Sequence, residues 1–311
     1  MSMPRQVRIV EVRPRDGLQN EVRTVTRAEC AQLIEMLADS GLNTHEAGSF
    51  VSPKWVPQMA DTRDVLQRLT RRVGVNFPVL VPNIRGMVDA VATGALEISV
   101  FVAASETFSH RNINVSIKDS LERLAPVMEM ALAAEIKVRG NISCVLGCPY
   151  EGEVALSMVM SVAKRLSKLG CYELSLGDTI GVGTPTNARD LIEAVCTVVP
   201  VEQLALHFHG TYGQALANVF ACLQTGISVI DAAAGGLGGC PYATEASGNL
   251  ATEDLLYVLH GLGIRMGVDL ERLLEAVDFV ADDLKIAPRS KLFAARRRHR
   301  DPASFLISVR C

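Results

Sequence analysis

The sequence lacks the features that mark membrane-spanning, secreted and nucleic-acid-binding chains. It has no stretch of about 18 uninterrupted apolar residues, so we expect no transmembrane helix. The opening residues MSMPRQVRIVEV have neither the apolar segment nor the cleavage site of a signal peptide, and we expect none. The net charge of −3 argues against a nucleic-acid partner, because such proteins are usually strongly basic.

The eight cysteines also lack a recognisable pattern. They show neither the paired spacing of a zinc site nor the regular spacing of a disulfide framework. Most lie in apolar segments, at positions 30, 144, 148, 171, 196, 222, 240 and 311. Reduced thiols fit this distribution best, and we therefore expect a cytoplasmic protein.

What the sequence does contain is a recurring unit of an apolar run, a polar or glycine-rich turn and a segment of helical period. The apolar runs cover residues 7–12, 41–47, 75–81, 95–103, 137–146, 171–176, 203–208 and 227–232. The helical segments between and after them cover residues 27–40, 60–72, 84–93, 117–134, 152–169, 186–199, 212–225 and 252–262. Apolar strands alternating with helices indicate a parallel sheet covered by helices.

Eight such units favour a (β/α)₈ TIM barrel of the α/β class. An open doubly wound sheet is the alternative, although the glycine pattern of a dinucleotide turn is missing after the first run. We expect one domain over residues 1–311, with the barrel at about 7–262 and a further helix at 268–283. The basic tail, with arginines at 296–298 and 300, predicts a solvated helix or a disordered end, and less readily a phosphate-binding segment.

Polar residues gather at the predicted carboxyl ends of the strands, where the side chains of a barrel enter its active site. They are Arg13, Arg15 and Asp16 after the first strand, Glu46 after the second, Ser175 and Asp178 at the sixth, His207 and His209 at the seventh, and Asn249 beyond the eighth.

His207 and His209 are the strongest candidates for metal ligands. Two residues apart on a strand, they face the same side, so one ion can contact both. Asp16 and Asn249 are candidates to complete the set, which would suit Mn²⁺, Mg²⁺ or Co²⁺ rather than structural zinc. Two core histidines bonded to neighbouring carbonyls are the alternative.

The remaining polar residues have plain structural alternatives. Asp178 and Glu46 are either catalytic or ordinary capping and ion-pairing carboxylates, and Arg15 either stabilises a developing enolate or pairs with Asp16. The glycine-rich segment 233–249, which carries Cys240, is either an active-site lid or a long connection with a buried cysteine.

Seven blocks together resemble the 3-hydroxy-3-methylglutaryl-CoA lyase family, over about residues 7–274. They are RDGLQNE, SFVSPKWVPQMAD, SCVLGCPYEG, CYELSLGDTIGVGTP, TYGQALAN, GLGGCPYA and ASGNLATEDL. The resemblance implies a metal-dependent TIM-barrel lyase that cleaves 3-hydroxy-3-methylglutaryl-CoA to acetyl-CoA and acetoacetate, in leucine breakdown or ketone-body formation. It also implies a homodimer, with an acyl-CoA as the substrate and Mg²⁺ or Mn²⁺ as the cofactor.

The resemblance also implies a role for each site residue. The matching metal ligands are Asp16, His207, His209 and Asn249. Arg15 would stabilise the enolate and Cys240 would give it a proton, since a thiol donates readily near its ordinary pKa. Asp178 and Glu46 match residues near the hydroxyl and the metal, with Asp178 favoured as base or relay. Residues expected to contact substrate are Arg15, Gln19, Ser175 and, at the CoA phosphates, Arg111.

Two glycines depart from the family pattern. Gly210 stands where an Asp usually follows the second metal histidine, and Gly48 stands where a hydroxyl residue usually follows the Glu-Ala pair. Loss of an outer carboxylate can weaken a metal site about 10–100-fold. These departures keep open a longer 3-hydroxy-3-alkylglutaryl-CoA as the substrate. A condensing enzyme related to isopropylmalate or homocitrate synthases, or a barrel without catalysis, are further alternatives.

Overall fold

The computed structural model describes residues 3–238 and 248–300, with side chains up to residue 298. Within them, eight parallel strands form one sheet in the order β1-β8-β7-β6-β5-β4-β3-β2. The strands are β1 (Arg8–Glu11), β2 (Gly48–Ser49), β3 (Val79–Leu80), β4 (Glu97–Ala103), β5 (Lys137–Ser143), β6 (Glu173–Asp178), β7 (Leu204–Phe208) and β8 (Val229–Ala232). Glu11 also bridges to His45, just before β2, and this contact closes the ring. The prediction of a TIM barrel is confirmed.

Helices cover the outside of the barrel. Those in the described residues are α1 (Arg27–Asp39), α2 (Thr62–Arg68), α3 (Ile84–Ala92), α4 (Glu106–Ile113), α5 (Ile117–Ala133), α6 (Leu156–Leu169), α7 (Pro185–Val195), α8 (Ala215–Leu223), α9 (Thr252–Gly261), α10 (Leu270–Asp282) and α11 (Lys291–Arg300). Every predicted helix is present, and α4 is an additional one. The basic tail is helical up to residue 300, and its remainder lies outside the described residues.

The predicted bounds of the second and third strands were wrong. β2 begins after the apolar run 41–47, and β3 covers only two residues of the run 75–81. Within those runs, pairing is limited to isolated bridges, such as that between Thr44 and Asn76. Apolar patterning reports burial, and residues 44–47 and 77–81 are buried, whereas regular strand pairing covers only part of this buried stretch or begins after it.

Thr26 and Glu29, three residues apart at the start of the segment 27–40, have the sequence pattern that marks the beginning of a helix. The Thr26 hydroxyl accepts from the Glu29 N–H at 3.3 Å, and the Glu29 carboxylate accepts from the Thr26 N–H at 2.8 Å. These two bonds form a capping box, which satisfies amides that a helix leaves unpaired. At the other end, Gly41 has a φ of 97°, and a Cβ there would meet the Gly267 carbonyl.

Within the described residues, a small apolar cluster inside the barrel is formed by Val10, Val12, Ala205, Val229 and Ala233. The main core lies between the sheet and the helices. Burial raises the pKa of the Cys30, Cys171 and Cys222 thiols to about 12, so these cysteines are unreactive near neutral pH. Among the described residues, no helix has the length and apolar character needed to cross a membrane. The single domain over 1–311 stays a prediction.

Candidate active site

A wide turn follows β1 and carries the first two site residues. Residues Arg13–Gly17 form a π-helical turn, in which the N–H groups of Arg15, Asp16 and Gly17 lie 3.3, 2.8 and 3.2 Å from the Val12 carbonyl oxygen. Such turns are rare and frequently occur at functional sites. Here the turn places Arg15 and Asp16 side by side, with the Arg15 Nη1 donating to the Asp16 Oδ1 at 2.7 Å.

The carboxyl end of β7 supplies both histidines. Phe208, between them in sequence, points away into the outer core and is buried. The His207 and His209 rings therefore share the opposite face, with their centroids 5.4 Å apart and their planes at 48°. This is the arrangement expected from the alternation of side chains along a strand.

The structure brings Asp16, His207 and His209 into one cluster. Each offers a ligand atom, and these atoms all lie within 4.8 Å of one another. Asn249 adjoins them, because its Nδ2 donates to the Asp16 Oδ2 at 2.8 Å and to the Leu237 carbonyl at 2.9 Å. A carboxylate, two imidazoles and an amide are a donor set that fits a divalent cation. The cluster is therefore able to hold a divalent metal.

Backbone pairing fixes Asn249 at this position. Residues 248–250 run antiparallel to residues 208–210, with an N–H to carbonyl bond from Leu250 to Phe208 at 3.1 Å and from Gly210 to Gly248 at 3.0 Å. The segment that follows β8 therefore returns to the end of β7, which keeps the amide beside the histidines.

Burial and neighbouring charges set the protonation states of Asp16 and His209. Burial alone would raise the pKa of the Asp16 carboxyl, but the charges of Arg15 and His207 outweigh it and lower that pKa. Burial, together with the charge of His207, lowers the pKa of His209 to about 4. At neutral pH, Asp16 is therefore ionised and His209 is neutral, which are the forms that bind a metal.

Glu46 lies beside Arg15. Its Oε2 accepts from the Arg15 Nε at 2.7 Å and from Nη2 at 2.6 Å, and its Oε1 accepts from the Ser99 hydroxyl at 2.6 Å. Among the described residues, the group able to bind a metal does not include Glu46. This carboxylate holds the Arg15 guanidinium in place, which is the ion-pairing alternative considered for it.

Asp178 caps the turn after β6. Its Oδ1 accepts from the Val182 N–H at 3.2 Å, and its Oδ2 accepts from the Gly183 N–H at 2.9 Å. Burial raises the pKa of this carboxyl, although the amide bonds and the charge of His207 act against that rise. The geometry is that of the capping alternative, with a carboxyl that takes up a proton more readily than usual.

The other predicted site residues differ in their burial and contacts. Ser175 is buried, and its hydroxyl donates to the Asp231 Oδ2 at 2.7 Å. Gln19 is half-buried in the turn of helix directly after Gly17. Arg111 on α4 is exposed, with its guanidinium 4.4 Å from the centroid of the Tyr150 ring. Cys240 lies outside the described residues.

Sequence reasoning missed Asp231. This carboxylate stands on β8 directly beside His207 in the strand register, and its Oδ2 is 3.1 Å from the His207 Nδ1. Burial lowers the pKa of His207, but the hydrogen bond and charge of Asp231 outweigh it and the pKa is raised. The available signal was a charged residue near the end of an otherwise apolar run.

The two glycines that depart from the family pattern have different surroundings. A Cβ at Gly48 would lie 2.6 Å from the Thr62 Oγ1 and 2.7 Å from its Cγ2, so the space is already filled. The Thr62 hydroxyl is fixed there, accepting from the Ser49 N–H at 3.1 Å and lying 2.9 Å from the Met59 carbonyl. A Cβ at Gly210 would meet nothing within 4 Å. Gly48 is therefore tied to Thr62, whereas position 210 has room for a side chain.

This difference predicts that the same substitution destabilises the fold at one position and leaves it nearly unchanged at the other. Gly48→Ala forces Thr62 or β2 to move and should lower the free energy of unfolding by about 1–3 kcal/mol. Gly210→Ala is the matched control and should change it by less than about 0.5 kcal/mol. Urea unfolding followed by circular dichroism measures both. Thr62→Ala opens the space but removes the hydroxyl that accepts from the Ser49 N–H, so the double change Gly48→Ala/Thr62→Ala should cost less than the sum of the two single changes. Equal effects of the two glycine substitutions would contradict the prediction.

Comparison with known proteins gives a consistent family. A family model described as HMGL-like matches residues 6–280. The chain is 57% identical over 294 residues to the mitochondrial hydroxymethylglutaryl-CoA lyase of Mus musculus, a match that covers 94% of this chain and 90% of that protein. It is 56% identical over 276 residues to a 3-hydroxy-3-isohexenylglutaryl-CoA/hydroxymethylglutaryl-CoA lyase of Pseudomonas aeruginosa, covering 89% and 92% of the two chains.

Solved structures agree. The hydroxymethylglutaryl-CoA lyase of Pseudomonas aeruginosa matches with a TM-score of 0.94 and 52% identity, covering 96% of this chain and all of that one. A lyase from Acinetobacter baumannii, solved with coenzyme A and 3-methylmalate, matches with a TM-score of 0.90 and 35% identity, covering 93% and 95%. With a family model over most of its length and relatives more than half identical, this chain belongs to the HMGL-like family, among the hydroxymethylglutaryl-CoA lyases.

Proposed function

We propose that this chain cleaves 3-hydroxy-3-methylglutaryl-CoA to acetyl-CoA and acetoacetate with the help of a divalent cation. The observation that carries the proposal is the cluster of Asp16, His207 and His209 at the carboxyl ends of β1 and β7, with the Arg15 guanidinium bonded to Asp16. The names and similarity of the relatives support the substrate. Asn249 completes the proposed ligand set through its amide oxygen.

The reaction removes the proton of the C3 hydroxyl, breaks the C2–C3 bond and adds a proton to C2. Loss of the C3 hydroxyl proton to a base makes this oxygen the ketone of acetoacetate. The C2–C3 bond breaks, its electron pair forms the enolate of acetyl-CoA, and C2 then takes up a proton. When bound at the cluster, a divalent cation supplies Lewis acidity, which makes a coordinated hydroxyl more acidic.

Arg15 stabilises the enolate in this proposal. Burial would lower the pKa of its guanidinium, but the charges of Glu46 and Asp16 outweigh it and raise that pKa, so the cation persists throughout the reaction. Because Glu46 and Asp16 hold it from two sides, its position is fixed before the charge develops, which is the condition for strong electrostatic stabilisation.

Two further groups handle protons. We propose Asp178 as the base or relay for the hydroxyl, since its raised pKa favours uptake of a proton, whereas Glu46 is ion-paired to Arg15. Cys240, by its match to the family motif, supplies the proton to C2. Gln19 and Ser175 near the acyl group and Arg111 at the CoA phosphates remain proposals of the same kind. So do a homodimer, a cytoplasmic location and a place in leucine or ketone-body metabolism.

A coupled assay of acetoacetate and acetyl-CoA tests the reaction. The purified chain should cleave 3-hydroxy-3-methylglutaryl-CoA with Mg²⁺ or Mn²⁺, lose this activity after chelation and dialysis, and regain it when either ion returns. Cleavage that continues undiminished in metal-free buffer would exclude the role of the cation. A metal-loaded chain without any cleavage of the thioester would overturn the proposed reaction.

A longer substrate is the second candidate. The Pseudomonas aeruginosa relative is named for 3-hydroxy-3-isohexenylglutaryl-CoA as well, and open space at Gly210 adjoins His209. The same assay with both thioesters distinguishes them by kcat/KM. A tenfold preference for the longer thioester would replace the methyl compound as the principal substrate.

A further inference from the structure

A set of buried charged side chains fills the barrel interior below the proposed metal site. Arg139 on β5 is 4% exposed, and Glu173 on β6 and Asp231 on β8 are each 3% exposed. The Arg139 Nε donates to the Glu173 Oε1 at 2.7 Å, while its Nη1 and Nη2 donate to the Asp231 Oδ2 and Oδ1 at 3.0 and 2.7 Å. Arg8 pairs with Glu173 from the lower side. Arg139 therefore makes a bidentate contact with Asp231, which fixes both carboxylate oxygens.

Asp231 connects Arg139 to the proposed metal site, because it also contacts His207. Its Oδ2 lies 3.1 Å from the His207 Nδ1 and also accepts from the Ser175 hydroxyl at 2.7 Å. With Nδ1 directed at Asp231, the His207 Nε2 is the nitrogen that faces Asp16, at 3.9 Å from the Asp16 Oδ2. The ring orientation of His207 thus depends on where Asp231 stands.

We infer that Arg139 is a positioning residue of the metal site, acting through Asp231 to fix the His207 imidazole with its Nε2 toward the cation. The inference rests on the metal site of the proposed function and adds a residue outside it. The side-chain hydrogen bonds of Arg139 go to Glu173 and Asp231, and not to Asp16, His207 or His209. Its effect on the cation is therefore indirect.

The bidentate contact between Arg139 and Asp231 explains why an arginine occupies this position. A carboxylate on its own in this interior is costly, and a guanidinium stabilises it while fixing its plane through two parallel bonds. Burial would raise the pKa of the Asp231 carboxyl, but the charge of Arg139 outweighs it and holds that pKa well below its usual range. A lysine supplies the positive charge without the two parallel N–H donors of a guanidinium. Bonds of this kind from a carboxylate to a metal-bound histidine orient the ring and raise its basicity.

A purely structural role for Arg139 makes a different prediction. An ion pair that only stabilises the barrel would change the free energy of unfolding and leave the metal affinity of the folded protein as it was. Metal affinity measured on folded protein therefore separates the two roles, and it needs no assay of the enzyme.

The experiment titrates metal-free protein with Mn²⁺ and follows free Mn²⁺ by electron paramagnetic resonance, after circular dichroism has established folding. Arg139→Met and Asp231→Asn should each weaken the affinity about 10–100-fold. Because both act along one path, the double variant should be little weaker than either single variant. Arg139→Lys keeps a buried cation, which preserves folding if Arg139→Met does not fold, and it should still lose affinity. High Mn²⁺ should restore turnover in each variant.

Glu97→Gln is the matched control. Glu97 is a buried carboxylate on β4 that accepts from the Tyr172 hydroxyl at 2.5 Å. Among the described residues, the hydrogen bonds of the Asp231 carboxylate go to Arg139, Ser175 and His207 and not to Glu97. Its Mn²⁺ affinity should equal that of the natural chain. Folded Arg139→Lys or Arg139→Met with affinity within twofold of the natural chain overturns the inference, as does a fully additive double variant. Failure of the natural chain to bind Mn²⁺ would instead overturn the proposed metal site.

Discussion

Replacing His207 with alanine is expected to remove Mn²⁺ binding and to abolish most of the lyase activity. The loss of affinity should exceed the ~10–100-fold effect of losing an outer partner, because a proposed direct ligand disappears from the group of three able to hold a metal. The empty position also leaves Asp231 without the histidine that lies 3.1 Å from its Oδ2. Mn²⁺ titration and the coupled assay, run on the same preparation, measure both effects.

Two other substitutions make this prediction specific. His260→Ala removes an exposed histidine on α9 and should keep both metal and turnover. Cys240→Ala should reduce turnover by orders of magnitude while leaving bound metal unchanged, since the thiol is proposed as a proton donor and not as a ligand. Metal loss in Cys240→Ala would refute that role, and undiminished Mn²⁺ affinity in His207→Ala would refute the ligand set.

Arg15→Lys is expected to lower kcat about 10²–10³-fold while the protein still binds Mn²⁺. An ammonium group keeps the charge, but it cannot reproduce the planar guanidinium that contacts Glu46 through Nε and Nη2 and Asp16 through Nη1. The positive charge of the side chain at position 15 is therefore no longer held in a fixed position, and the developing enolate loses a preorganised partner. Steady-state kinetics at saturating Mn²⁺ give the size of the effect.

Arg111→Ala is the comparison for this second prediction. Arg111 is exposed and stacks on the Tyr150 ring, so its proposed contact with the CoA phosphates affects binding rather than chemistry. Its loss should raise KM and leave kcat nearly constant, which is the opposite pattern to that of Arg15→Lys. An Arg15→Lys enzyme with normal kcat would show that the enolate does not depend on this guanidinium.

Much of the fold could be predicted because its signals are local. Apolar runs alternating with helical segments predict eight strand–helix units, and Thr26 with Glu29 predicts the start of α1. The histidine pair is also local, because alternation along a strand places His207 and His209 on one face whatever surrounds them. For Asp16, the closing of the barrel from β8 to β1 was enough to expect a place beside them.

The features that were missed depend on contacts between distant parts of the chain. The length of β2 is set by its neighbours, and the role of Asp231 becomes visible only when β7 and β8 lie in register. Gly48 was recognised as unusual, but the side chain that fills its space, Thr62, belongs to the next helix. No local pattern distinguishes Glu46 as a partner of Arg15 from Glu46 as a ligand.

The return of residues 248–250 to the end of β7 has a consequence for synthesis of the chain. Asp16 and Asn249, which share a hydrogen bond, are 233 residues apart in sequence. A nascent chain therefore carries Asp16 for most of its translation before His207, His209 and Asn249 have been added. Because β8 and the segment after it complete the ring, the proposed ligand cluster can form only when nearly the whole barrel has left the ribosome. An incomplete chain would thus be unable to take up a cation through this set of ligands.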